Sequence, residues 1–428
     1  MKRLLAWFLA ATVAHGTGCS RQEAPERRAP KRDSDAGTTV VDAGSPAPGP
    51  SLGVTTPEPA TPERAVMAFA MDLHRVWRAD KVRRGKTAVL SPLSLAGALA
   101  LLREGARGET RDELDRALHL SSRVSASALV GLESRGAAGF EIWRGQRAFV
   151  DGRLPLQPSF RAHLQAHQGG SIAPADFRDP EGARTGINRW VEDVTHRRIL
   201  QLLPPGSIGP KTRLILVDAL SASARWASPF DPSKTRTQAF TALDGSVESV
   251  PMMVGESRQP FTHSDTYDAV DFACADQEHA LLVVAPAPGH FDEIDASLDL
   301  ARLDGIVASL VLQRVVVAMP RFQAALPATS LITELQALGL EHLFDESANL
   351  EGISSDPDAK LHVADALHAA RIDVDESGAR VAAATGVVID LPSPKVSITL
   401  DRPFFFWLRN VRTGTPIVMG RYMGPSQR

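Results

Sequence analysis

Residues 89–110 read VLSPLSLAGALALLREGARGET. Ser91-Pro92 is a helix start: a serine hydroxyl can accept from the free amides of a first turn, and a proline there gives up an N–H that would have no partner anyway. From Leu93 to Leu102 the apolar face is continuous, the pattern of a helix buried on most of its sides. The Gly-Ala-Arg-Gly turn then leads to a second, charged helix predicted over Thr110 to Leu120.

Upstream, Thr61 is placed to cap a helix on which Val66, Phe69, Ala70, Leu73 and Trp77 recur at helical spacing, ending in the charged run Lys81 to Lys86. Downstream, 140–150 reads as a strand, 187–203 as an amphipathic helix and 212–226 as a buried strand. Residues 281–285, 314–319, 396–400, 404–409 and 416–422 are further strand candidates, rich in Val, Ile, Leu and Phe. Helices cluster early and strands late. That order predicts an α+β fold with large, mostly antiparallel sheets, not alternating βαβ units. No internal repeat is visible.

The two ends of the chain differ in composition. Lys2 and Arg3 precede an apolar run from Leu4 to Val13, followed by small residues and Cys19, which reads as an export signal over 1–18, too short to span a membrane. Two processing routes stay open. Cys19 is acylated as in a bacterial lipoprotein, attaching the protein to a membrane, or an ordinary peptidase cuts nearby; Gly16 stands where the lipoprotein pattern has an aliphatic residue. Residues 19–60 are rich in Pro, Ala and Gly and nearly free of large apolar side chains, so they are expected to be a disordered tether. Residues 61–428 are expected to form one domain.

With Cys19 and Cys274 the only cysteines in 428 residues, no disulfide network can form, and 43% apolar residues must supply the stability. A net charge of −3 implies neither nucleic acid nor an anionic surface as a partner. No cofactor and no metal are called for. His163 and His167 have metalloprotease spacing, but Leu164 stands where the general-base Glu would be needed. Gly49-Pro50-Ser51-Leu52-Gly53 matches a nucleophile elbow in letters, but it lies in the Pro-rich tether without the strand and helix that chemistry needs. No Ser is followed three residues later by Lys, and no phosphate-binding glycine motif is present. The chain is therefore read as a non-enzyme.

The segment 89–110 resembles the serpin signature, and further matches follow in family order. These are Trp190, Val191, Glu192 and Thr195; Trp226, Phe230, Phe240, Asp244, Gly245, Met252 and Met253; MPRF at 319–322; Glu376 and Gly378; DRPFFFWLRN at 401–410; and Pro416 through MGRYMGP at 419–425. The resemblance covers 61–425. It implies a monomer with a fold of three β-sheets and eight or nine helices and an exposed reactive-centre loop strung between two strands; the export signal adds an extracellular or periplasmic location. It also implies a function: a suicide substrate whose loop is attacked by a serine or cysteine protease, and whose cut loop inserts into the central sheet before the covalent acyl-enzyme is hydrolysed.

Insertion requires two-residue alternation. From Gly378, the set Ala379, Val381, Ala383, Thr385, Val387, Ile389 and Leu391 is apolar save for one Thr, while Arg380, Ala382, Ala384, Gly386, Val388 and Asp390 face the other way. The alternative is that 387–391 is an ordinary edge strand. Family spacing from Gly378 to Pro403 puts the scissile bond at Pro392-Ser393, but proline fixes φ and removes a donor the protease would use. Cleavage is therefore expected at Asp390-Leu391 or at Val388-Ile389.

The resemblance further places Ser91, Ser94, Asp218 and His368 in a polar shutter where the sheet must part. It implies that Asp218 and His368 are buried and hydrogen-bonded, raising the His pKa and lowering that of the Asp. Trp226, Arg321 and Glu376 match the breach, where insertion begins, and Ser221 and Ala222 stand where the family has large aromatics. The rival reading is a non-inhibitory serpin acting as a binding or carrier module. The proximal hinge discriminates: Ala379, Ala382, Ala383 and Ala384 suit an inhibitor, whereas Arg380 and Val381 are unusual there.

Overall fold

A computed structural model describes residues 59–80, 85–130, 132, 140–166, 171–209, 211–356, 358–378 and 396–425, with the side chains of 142, 144–146, 171, 218 and 221–223 excepted. The signal and most of the tether, 1–58, and the loop segment 379–395 lie outside the described residues.

In chain order the elements are α1 (Pro62–Ala79), β1 (Ala88–Leu90), α2 (Pro92–Gly105), α3 (Gly108–Ala117), α4 (Ala126–Val130), β2 (Phe140–Asp151), α5 (Pro158–Ala166), β3 (Ser171–Ala175), α6 (Pro180–Val194) and β4 (Leu214–Ala224). Then come β5 (Arg236–Thr241), β6 (Val247–His263), β7 (Tyr267–Ala273), β8 (His279–Pro286), α7 (Phe291–Ser297), α8 (Leu300–Ser309), β9 (Val311–Pro320), β10 (Phe322–Ser330) and α9 (Ile332–Ala337). The described chain closes with β11 (Leu367–Val374), β12 (Val396–Thr399), β13 (Phe404–Asn410) and β14 (Pro416–Tyr422).

Thr61 and Ser91 cap their helices as the sequence implies, accepting from Arg64 N at 3.3 Å and Ser94 N at 3.4 Å, each with a proline in the first turn. The helix predicted over 187–203 instead occupies Pro180–Val194. Asp179 caps it and Pro180 opens it, whereas His196 and Arg197 take φ of 50° and 61°, a left-handed backbone that no α-helix continues through.

Among the described residues the strands form three hydrogen-bonded sheets, of nine, three and two strands. The large one runs β1-β14-β13-β8-β7-β6-β9-β12 with β5 beside β6; the others are β3-β2-β4 and β10-β11. Among the described residues only β2 with β3 and β9 with β12 pair in parallel. The α+β reading with mostly antiparallel sheets holds.

The unbroken run Phe404-Phe405-Phe406-Trp407 marks a strand buried on both faces. On one side Phe405 stacks on Phe291 of α7 at 4.9 Å and meets His74 of α1; on the other Phe404 and Phe406 pack against Phe322. Each such side chain contributes about 1.5–3 kcal/mol of burial. Gly420 is required here, because a Cβ would collide with the Ala88 carbonyl oxygen and the Phe406 ring.

Candidate functional site

β4 is held by β2, and β11 by β10. Both strands are covered on two faces. Leu220 and Ala224 of β4, and Ala370, Ile372 and Val374 of β11, join the main core; Val217 and Ala219, with Leu367 and Ala369 beside them, face a second core under α6. That second core is built from Phe149, Phe177, Ile187, Val191, Ile199, Leu202, Leu203 and Ile208. Asn188 fastens it: its amide donates to Leu203 O at 2.8 Å while its oxygen accepts from Leu202 N and Leu203 N at 3.1 and 2.8 Å.

The chain leaves β4 and β11 at the same place, so the two strands run in the same direction. They belong to separate hydrogen-bonded sheets among the described residues, and the backbone bridge and hydrogen bonds that join them lie just past their C-terminal ends. There Arg225 bridges Gly378, Trp226 N donates to Ser377 O at 3.1 Å, and Trp226 Nε1 donates to Asp375 O at 2.9 Å. Gly378 sits at φ +110°, and a Cβ on it would strike Ala224 O and come within 2.6 Å of Arg225 Cα, so glycine alone allows this approach. The result is a seam between two strands, clasped at one end.

The clasp is electrostatic as well. The Glu376 carboxylate, 8% exposed, accepts from Arg321 Nη2 at 2.5 Å and Thr235 Oγ1 at 2.6 Å, and Glu376 O accepts from Phe230 N at 2.8 Å. Burial pushes its pKa up, but the hydrogen bonds from Arg321 and Thr235 outweigh that and hold it below the usual carboxylate range. Trp226, Arg321 and Glu376, singled out from the sequence, are thus brought together. Thr235 was not; a lone Thr after a Pro-Ser-Lys turn gives no sequence signal of this contact.

At the other end of the seam, Ser91, Ser94 and His368 are all buried and meet at the start of α2. Ser91 N donates to His368 Nε2 at 3.1 Å and Ser91 Oγ donates to Ile417 O at 2.9 Å. The expectation of a raised His368 pKa is overturned. Burial pushes it down to about 4, and a ring that accepts an amide proton at Nε2 must be neutral. The Asp218 side chain lies outside the described residues; its Cα pairs with Gln146 in the β2–β4 ladder.

The loop residues Ala379, Val381, Ala382, Ala383, Ala384, Thr385, Val388, Ile389, Asp390, Leu391, Pro392 and Ser393 lie outside the described residues, as do Cys19 and the side chains of Ser221 and Ala222. Cys274 is a free, buried thiol beside Trp226, and burial pushes its pKa up.

A family model described as Serpin (serine protease inhibitor) matches residues 64–425. Antithrombin-III of Mus musculus is 30% identical over 81% of this chain and 78% of its own length. A serine protease inhibitor of Cyanea capillata is 29% identical over 80% of this chain and 93% of its own. Among solved structures, uncleaved ovalbumin superposes with a TM-score of 0.77 at 22% identity over 85% of this chain and all of its own. Native protease nexin-1 with heparin gives 0.73 at 26% identity, over 85% of this chain and 99% of its own.

Proposed function

This chain belongs to the serpin family, and from that premise we propose that it inhibits a serine or cysteine protease as a suicide substrate. The observation that carries the reading is the seam: two strands running the same way, in separate sheets, clasped at the point where the chain leaves for 379–395. A segment that turns back at Gly378 runs antiparallel to both strands, and so can form two antiparallel ladders where none exists among the described residues. The alternation from Ala379 to Leu391 gives that segment an apolar face for the main core.

In the reaction, the protease nucleophile bonds to the carbonyl carbon of the scissile residue, and the peptide nitrogen leaves with a proton. The acyl-enzyme lasts until water attacks it. Insertion that outpaces water carries the enzyme away from the clasp and traps the complex; Asp390-Leu391 and Val388-Ile389 are the bonds proposed for attack. The leader and Cys19 fit an exported, lipid-anchored inhibitor that meets proteases outside the cell, which radiolabelled palmitate incorporation into wild type but not Cys19→Ser would establish.

Incubation with a panel of serine and cysteine proteases, followed by a denaturing gel, tests the main proposal. A covalent complex is expected, and sequencing the released C-terminal peptide identifies the bond. Cleavage at 388–393 without a trapped enzyme and without a gain in heat stability would instead establish the non-inhibitory carrier.

A further inference from the structure

β6 belongs to more than one ladder. Phe261–His263 pair with β7, whereas Met252–Phe261 pair with β9, so β6 and β7 part at Phe261 and leave a fork between them. The segment 227–230, running on from Trp226, fills that fork. Ala227 N donates to Ala273 O of β7 at 2.8 Å, and the Phe230 ring rests on Gly255 of β6, where a Cβ would come within 2.8 Å of it. Phe230 also faces Phe272 of β7, with ring centres 6.3 Å apart, and its own amide donates to Glu376 O at 2.8 Å. The plug of the fork is thus also part of the clasp.

The filling is incomplete. A cavity of about 20 Å³ remains between Phe230, Phe272 and two residues of β6, Ser257 and Gln259, and it reaches the surface at Ser228 and Pro229, both exposed. A water needs roughly 10–15 Å³ and at least two polar partners. Gln259 is only 4% exposed; its Nε2 donates to Ser257 Oγ at 3.0 Å, while its buried Oε1 has no hydrogen-bond partner among the described residues. A buried acceptor left bare is destabilising by its full desolvation. The space therefore suits a molecule of one heavy atom that can donate to Gln259 Oε1 and accept from the Ser257 hydroxyl.

We propose that the fork is a binding site for one structural water, held by Gln259 and Ser257, and that this water keeps Phe230 seated and so braces the clasp at Glu376. Without it, the ring would have no contact atoms on that side and would slide toward Gln259. The Phe230 amide moves with its ring. Its bond to Glu376 O would then lengthen, loosening the turn that carries Gly378.

Fork and clasp exist whether or not the loop is attacked, so the test needs no protease. A high-resolution crystal structure is expected to show one water within hydrogen-bonding distance of the Gln259 side chain. Exchange of the Trp226 indole proton, which is bonded to Asp375 O, reports opening of the clasp. Gln259→Met keeps the length of the side chain and removes both of its polar ends, so the cavity becomes apolar and dry. Indole exchange is then expected to rise about fivefold or more, the equivalent of one lost hydrogen bond. Ser257→Ala should do the same to a lesser degree, and Gly255→Ala, which pushes the ring off its seat, should accelerate exchange with the water still in place. Asn188→Ala, in the separate core under α6, should leave the rate unchanged.

A dry cavity in the wild-type crystal would overturn the site. Wild-type indole exchange in both Gln259→Met and Ser257→Ala, or in Gly255→Ala, would overturn the brace, as would an equal acceleration by Asn188→Ala.

Discussion

Two histidines titrate against stability in opposite directions. His368 is neutral and buried with a folded pKa of about 4, below the 6.5 of a free imidazole. The unfolded chain therefore binds its proton first as pH falls. The contribution is complete above about 6.5 and drains away down to about 4, a loss of about 3 kcal/mol at 1.36 kcal/mol per unit. His342 behaves oppositely, because its Nδ1 lies 2.5 Å from Glu113 Oε1 and that hydrogen bond raises its pKa. Its share is present below 6.5 and fades as pH climbs through the raised value. The expected outcome is that His368→Gln flattens the fall in unfolding midpoint between pH 6.5 and 4, while His342→Gln lowers the midpoint below 6.5 and removes the decline that begins there as pH rises. An unchanged acid slope in His368→Gln would remove the shutter histidine as its source.

At the scale of elements, α6 and its returning tail depend on one side chain. Asn188→Ala would leave Leu202 N and Leu203 N without their buried partner, Leu203 O keeping its hydrogen bond from Arg184, and unsatisfied groups of this kind cost about 1–3 kcal/mol each before the tail relaxes. A lowered denaturant midpoint with faster amide exchange at Leu202 and Leu203 is the expected result; wild-type exchange there would show that the tail is held by its leucines alone. The sequence announced some elements and hid others for physical reasons. α1 and α2 carry a capping hydroxyl and a proline, and β13 and β14 are apolar on both faces, so each was readable. β6 is not: its strand contains Pro251, Glu256, Ser257, Arg258 and Pro260 and exists because β5, β7 and β9 supply partners. The alanine-rich β10 and β11 were equally silent. The candidate site shows the same division. That Trp226, Arg321 and Glu376 meet, and that Ser91 and Ser94 lie with His368, followed from the family resemblance, but which nitrogen of His368 accepts a proton, and that Thr235 joins Glu376, depends on contacts between distant segments.

For the whole molecule, β4 and β11 lie in separate sheets among the described residues, so in the proposed mechanism the loop acts through a state not yet formed. Ala379 and Ala383 are the first and third members, after Gly378, of the apolar alternation set. On the proposed reading, substituting either with Arg before cleavage changes a position in an exposed loop, where effects are usually within about ±0.5 kcal/mol. After cleavage the proposed insertion would carry the same side chain toward the main core, to which Ala224 and Val374 belong, without a partner, at a cost of at least several kcal/mol. The four large apolar residues Val381, Val387, Ile389 and Leu391 favour insertion by about 1.5–3 kcal/mol each, but all follow Ala379 and three follow Ala383, so the penalty falls before most of that gain. Insertion then lags behind hydrolysis of the acyl-enzyme. Wild type should give a covalent complex on a denaturing gel, whereas Ala379→Arg and Ala383→Arg should give cleaved loop and released, active protease at nearly unchanged native stability. Equal trapping by wild type and both variants would mean that these positions face solvent in the inserted strand, and the parity assigned to the loop would have to be reversed.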